Sequence, residues 1–189
     1  MCCVNDMRAF YLCHDKRLLG VVLQELDSLV MDHQVLTHEQ AEILRQGIVP
    51  SIIPGSPELE QLVCDHRKST SVKDGYIIKP IRQGRGQDIM FGTDMTYNDW
   101  NALLSLLRDP RQTARGPRYV LQPVIKQPGF EVMDDNAKTR RRTIIGTCFV
   151  TNGTFHGMGV WKAAEGRICN ISNGGFRLLS VSCQRLLRN

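Results

Sequence analysis

The chain has 189 residues, 42% of them apolar and 23% charged, a composition that can build a core and excludes a disordered or low-complexity polymer. A formal net charge of +5 suits an anionic ligand such as a nucleotide, and equally a mildly basic surface with no particular partner. The densest basic cluster, Arg140, Arg141 and Arg142, lies in a polar stretch that reads as a loop without interleaved aromatics, which disfavours nucleic acid.

Seven cysteines form no CxxC pair, so structural zinc is disfavoured. Cys148 and Cys169 fall in apolar stretches that read as strands, where a reduced thiol acts as a small hydrophobe. No run of ~18 residues is apolar enough throughout to span a bilayer, since the longest uncharged one, 143–161, is interrupted by Asn152, Gly153 and His156, and the Met-Cys-Cys start lacks the glycine that myristoylation needs. A soluble, cytoplasmic protein with no membrane partner is expected.

Residues 8–13 read as a short strand, with Asp15 as a capping side chain behind it. Leu18, Leu19, Val22, Leu23, Leu26, Leu29 and Val30 predict one helix over about 16–33. Thr37 and Gln40 form a capping box for a second helix, with Ile43 and Leu44 apolar and Gly47 as its stop. Ser56 and Pro57 start a third, which turns Leu59, Leu62 and Val63 inward. Residues 67–74 are polar and read as a linker.

Tyr76, Ile77 and Ile78 begin a strand that runs through Lys79 into a loop containing Gly84 and Gly86, and residues 88–91 return from it. Thr96 and Asp99 head a helix carrying Trp100, Leu103, Leu104 and Leu107, ending near Asp109 and Pro110. Strands resume at Arg118 and cover 119–125 and 143–150. An Asn152-Gly153 turn leads into 155–161, and a last strand covers 167–172. The fold class is α+β: a helical part over about 8–66, then mostly antiparallel strands with one long helix.

The stretch 75–92, GYIIKPIRQGRGQDIMFG, places a lysine at a strand end and a glycine loop directly after it. Glycines let main-chain N–H groups approach phosphate oxygens, Lys79 supplies a point charge, and Arg82 and Arg85 add positive charge. The loop alone fits an ordinary hairpin turn equally well. It is neither a P-loop nor a dinucleotide-binding fingerprint, because the GK[ST] ending and the G-x-G-x-x-G spacing are both absent.

Residues 76–92, YIIKPIRQGRGQDIMFG, resemble the small-lobe strand and phosphate loop of ATP-grasp enzymes, including glutathione synthetase and glutathionylspermidine synthetase. RYVLQPVI (118–125) resembles the strand that these enzymes run into the adenine-contacting hinge. TIIGTCFVTNGTFHGMGVWKAAEGRICNISNGG (143–175) is similar to the strand, NG turn, strand and NxSxGG ending of the circularly permuted ATP-grasp family. HDKRLLGVVLQEL (14–26) looks like the aspartate-lysine helix start preceding the lysine strand there.

The resemblance implies a C-terminal portion of an incomplete ATP-grasp fold. Residues 8–66 would be a helical part of the larger lobe, 75–175 the nucleotide-binding region and 176–189 a tail. It implies a carboxylate-amine ligase that binds ATP and activates a carboxylate as an acyl phosphate. Lys79 and Arg82 would be catalytic. Lys79, Gln83, Gly84, Arg85 and Gly86 would contact the phosphates, Gln122, Pro123, Val124 and Ile125 the adenine, Glu131 the ribose hydroxyls, and Asn170 either phosphate or only a turn. The acidic and Glu-x-Asn ligands for magnesium are expected upstream of this chain, in a missing N-terminal part of the same enzyme. Arg85 stands where relatives often carry glycine. The alternative is a catalytically inactive remnant serving as a binding or regulatory module.

Overall fold

The computed structural model describes residues 7–109, 119–133, 138–151 and 153–178, and it divides into two compact units, Met1–Val124 and Ile125–Asn189. Pro110, Arg118, Asn152 and residues 179–189 of the expected tail lie outside the described residues.

Three antiparallel strands hold the first unit together: β1 (Tyr76–Pro80), β2 (Met90–Phe91) and β3 (Tyr119–Pro123), in the order β2-β1-β3. Ile52 extends this sheet, because its N–H and carbonyl both pair with Leu121, at 2.8 and 3.1 Å. One face carries the core. Ile78 and Leu121 are register partners there and meet Leu59, Leu62 and Val63 from α5 (Pro57–Lys68) and Trp100, Leu103, Leu104 and Leu107 from α6 (Tyr97–Arg108). Burying each large side chain of this kind stabilises the fold by about 1.5–3 kcal/mol.

Both helices start as their sequences dictate. The Ser56 hydroxyl accepts the Leu59 N–H at 3.3 Å, with Pro57 in the first turn. The Thr96 hydroxyl accepts the Asp99 N–H at 3.1 Å. The capping box of α4 (His38–Gly47) forms in both directions, Gln40 N–H to Thr37 and Thr37 N–H to Gln40.

Several expectations need correction. Residues 8–13 belong to a helix, α1 (Met7–His14), not a strand. A short apolar run does not separate the two by periodicity, and β1 already has a neighbour on each side. The predicted helix over 16–33 forms as α2 (Arg17–Gln24) and α3 (Leu26–Met31), interrupted at Glu25. Leu19, expected on the packed face, is exposed, as is the apolar Ile43, while Ala41 is buried on α4. The stretch 67–74 is the end of α5 and a 3-10 helix, Thr70–Gly75, and it lies within the unit Met1–Val124.

The second unit is an antiparallel sheet in the order β4-β5-β6-β7: β4 (Phe130–Met133), β5 (Thr139–Thr151), β6 (Thr154–Ala164) and β7 (Phe176–Leu178). Arg140, Arg141 and Arg142, read as a loop, lie in β5 and pair with Val132, Glu131 and Phe130 of β4. Backbone pairing, not apolar content, makes that segment a strand. β5 and β6 form the expected hairpin, with Thr151 opposite Thr154 and Gly153 at φ 76°.

The predicted strand over 167–172 is instead a turn with a 3-10 helix, Ile171–Asn173, and the strand lies later, in residues assigned to the tail. Asn170 diverts the chain there, since its side chain takes the Asn173 N–H at 2.8 Å and Gly174 turns at φ 80°. Cys148 does lie in a strand but is exposed, whereas the buried Cys169 lies in this turn, its thiol donating to the Lys162 carbonyl at 3.4 Å. Among the described residues no helix is long and apolar enough to cross a membrane.

His66 of α5 is 3% exposed, and neither of its ring nitrogens has a hydrogen-bond partner; nor has the buried Trp100 Nε1. Its ring lies 5.4 Å from that of Tyr97 and 6.1 Å from that of Trp100. Burial, aided by the Lys73 charge, lowers its pKa below the ordinary value of 6.5. The folded protein therefore keeps His66 neutral where the unfolded chain takes up a proton. Stability is full above the ordinary value and declines as pH falls below it towards the depressed folded value. Denaturant unfolding at about pH 7.5 and about pH 5.5 is expected to show a loss in the wild type that exceeds that of His66→Leu by up to about 1.4 kcal/mol. Equal losses would clear His66 of the effect.

Candidate functional site

Strand pleating places neighbouring residues on opposite faces, so with Ile78 locked in the core, Lys79 stands on the other face. It shares that face with its register partner Val120 and with the Ile77–Gln122 pair. Val120 is fully buried, Gln122 is 5% exposed, and Lys79 is half-buried. Burial holds the Lys79 ammonium below the usual lysine range, since the charged form loses hydration there.

The chain then leaves β1 and must return as β2. Gln87 N–H donates to the Gly84 carbonyl at 3.1 Å, closing a turn whose central residues, Arg85 and Gly86, have φ of 57° and 73°. Two successive positive values are the mark of the primed turns that suit hairpins. Gly86 adopts this freely. Arg85 carries a Cβ, and the left-handed region costs such a residue about 1–2 kcal/mol. Asp88, at φ 54°, adds a third left-handed residue.

The base of this loop is held by a segment far away in sequence. Lys16 donates its backbone N–H to the Ile81 carbonyl at 3.1 Å, and its ammonium to the carbonyls of Pro80 at 2.8 Å and Gln83 at 2.5 Å. Beside it, Asp15 accepts from the Arg17 guanidinium at 2.7 and 3.0 Å and, just ahead of α2, from the Arg17 N–H at 3.0 Å. Arg82 lies 3.5 Å from the same carboxylate, with its side chain 64% exposed. The hydrogen bond from Arg17 holds the Asp15 carboxyl below its usual value, against the opposing effect of burial.

The Lys16 pKa is lowered first by burial and then by the charge of Lys79, with Asp15 acting the other way. Lys79, itself lowered by burial alone, thus adds its charge to a Lys16 ammonium that is also partly dehydrated. From sequence, Asp15 reads as a helix cap and the pair as an aspartate-lysine helix start, and neither residue was assigned to the loop. The Asp-Lys-Arg run was visible, but its partners lie 64 and 67 residues downstream, beyond any local pattern.

Of the residues singled out, Lys79, Arg82, Gln83, Gly84, Arg85 and Gly86 occur together around this loop, and all except Lys79 and Gly86 are exposed. Gln122 donates its amide to the Ser51 hydroxyl at 2.6 Å. Pro123 ends β3 opposite Tyr76, and Val124 N–H donates to the Gly75 carbonyl at 2.8 Å. Ile125, Glu131 and Asn170 belong to the second unit. Ile125 is exposed, Glu131 is exposed on β4 opposite Arg141, and Asn170 shapes its turn, its carbonyl accepting from Gly175 N–H at 2.8 Å. Gly175 has no room for a side chain, because a Cβ would run into that carbonyl. Among the described residues no three His, Cys, Asp or Glu side chains converge as metal ligands.

Asp15 offers a direct check on the electrostatics. Its side chain is 11% exposed, and hydrogen bonds to charged groups at such sites contribute about 1.5–3 kcal/mol. Asp15→Asn is expected to lose stability in this range near neutral pH by urea unfolding. Because the folded carboxyl titrates below its ordinary value of 3.8, the gap between the proteins should persist above that value and close as pH falls through the folded one. A gap independent of pH would deny the charge its role.

No family model matches the chain. It is 44% identical over 179 residues to a protein of Aspergillus thermomutatus named ATP-grasp enzyme ankG, an alignment covering 94% of this chain. The chain spans 37% of that relative's length. With helices and antiparallel sheets consistent with part of an ATP-grasp fold, this similarity supports membership of the ATP-grasp family.

Proposed function

We propose that this chain is the ATP-binding part of an ATP-dependent carboxylate-amine ligase of the circularly permuted, glutathionylspermidine synthetase-like kind, with residues 75–175 as its nucleotide-binding region. The observation that carries the reading is the pair of partly dehydrated lysines, Lys16 and Lys79, at the base of a loop with left-handed residues. The similarity to an ATP-grasp enzyme supports it.

In this reading the phosphates of ATP lie against Lys79 and the main-chain N–H groups of Gln83, Gly84, Arg85 and Gly86. Arg82 acts beside the phosphoryl group in transit. The terminal phosphoryl group passes to a carboxylate oxygen and ADP leaves; an amine then attacks the acyl carbon and expels inorganic phosphate. Cations and oriented N–H dipoles offset the charge that builds during the transfer, an effect worth about 3–4 kcal/mol for a single well-placed donor. Gln122, Pro123, Val124 and Ile125 are assigned to the adenine, Glu131 to the ribose and Asn170 to phosphate, on the order of the motifs along the chain. ATP-grasp enzymes use magnesium with ATP, and its ligands are assigned to residues beyond those described.

Calorimetric titration of ATP with magnesium tests the reading. The wild type is expected to bind, and Lys79→Ala to weaken binding by about tenfold or more, the scale of a charge-assisted hydrogen bond to phosphate. No heat from the wild type at millimolar ATP would end it. ADP release with a panel of acids and amines would speak for an active ligase, and binding without turnover for a non-catalytic module.

A further inference from the structure

One residue captures three carbonyls at the exit of β1. Lys16 takes those of Pro80 and Gln83 with its ammonium and that of Ile81 with its backbone N–H. No cis peptide bond occurs among the described residues, and in a trans peptide the carbonyl of one residue and the N–H of the next point in opposite directions. Carbonyls 80, 81 and 83 drawn towards Lys16 therefore send the N–H groups of Ile81, Arg82 and Gly84 the other way.

The geometry points to Lys16 as a positioning residue that sets the direction of the loop's N–H groups before any ligand arrives. That one of these groups, the Gly84 N–H, meets a phosphate rests on the nucleotide reading above; the latch itself does not. A peptide of the loop that flipped would present an oxygen to an anion and repel it. An ammonium holding two carbonyls opposes such flips at both ends of the segment 80–83. Asp15 reinforces the arrangement, since it draws Arg82, the residue between the captured carbonyls, towards the same helix start. Gly84, next after the last captured carbonyl, opens the turn whose central pair Arg85 and Gly86 is left-handed, so the strained turn begins where the latch ends.

Amide exchange in the full chain, without nucleotide, tests the latch. The reporters are Gln87 N–H, bonded across the turn to Gly84, and Val124 N–H, bonded to Gly75 elsewhere in the same unit. Lys16→Met keeps the aliphatic stem and removes the ammonium. It is expected to speed exchange at Gln87 by about tenfold or more, as the loss of charged hydrogen bonds should, and to leave Val124 unchanged. Lys79→Met should leave both amides as they are.

Unchanged exchange at Gln87 in Lys16→Met, accompanied by weaker ATP binding in calorimetry, would overturn the proposal and make Lys16 a phosphate ligand only. Acceleration of Gln87 and Val124 together, or equal acceleration of Gln87 in Lys79→Met, would also overturn it as general loosening. Failure of the wild type to bind ATP would remove the nucleotide reading, and the exchange result would still decide the latch.

Discussion

The two-residue alternation of β1 is the constraint on which the site depends. Ile78 is fully buried against Leu121, Trp100 and the leucines of α5 and α6, so the register of the strand is set by apolar packing. Lys79 follows as a consequence, on the opposite face and at the end of the strand. A slip of one residue would drive its ammonium into that core, and a cost of that size makes the register unambiguous. The chemistry of the loop is thus positioned by helices that contribute none of its charges.

A second constraint comes from the start of α2. Hairpin loops with several residues at positive φ are not held by their own sequence, and Arg85 and Asp88 each adopt a conformation that glycine would take more readily. Long-range hydrogen bonds from Lys16 supply what local preference does not. The surrounding charges are arranged accordingly: Asp15 is neutralised by Arg17 and Arg82, while Lys16 and Lys79 keep a net positive field over the same region. Arg82, largely exposed, gains little energy from its ion pair but is oriented by it.

The second unit solves a different problem. Its longest strands, β5 and β6, cross at glycines that make room for large rings. Trp161 lies over Gly146, and a side chain at Gly159 would meet the Phe149 ring and the Thr147 hydroxyl. Aromatic rings laid over cross-strand glycines restore packing that the glycines themselves cannot provide. Register shifts near Cys148 and Val150 accompany this packing.

The sequence by itself determined what depends on near neighbours. The capping side chains Thr37, Ser56 and Thr96, the apolar faces of α5 and α6, the strand ending in Lys79, the glycine loop and the hairpin through Gly153 were all legible, because each rests on residues within a few positions. The resemblance to ATP-grasp enzymes was legible for the same reason. Tertiary structure decided what depends on distant partners: that residues 8–13 form a helix instead of pairing, that the arginines of β5 join a ladder with β4, that 167–172 turns and the last strand comes later. It also decided that Lys16 belongs to the loop. A carbonyl more than 60 positions away leaves no trace in a local pattern, and only the folded chain brings the ammonium to it.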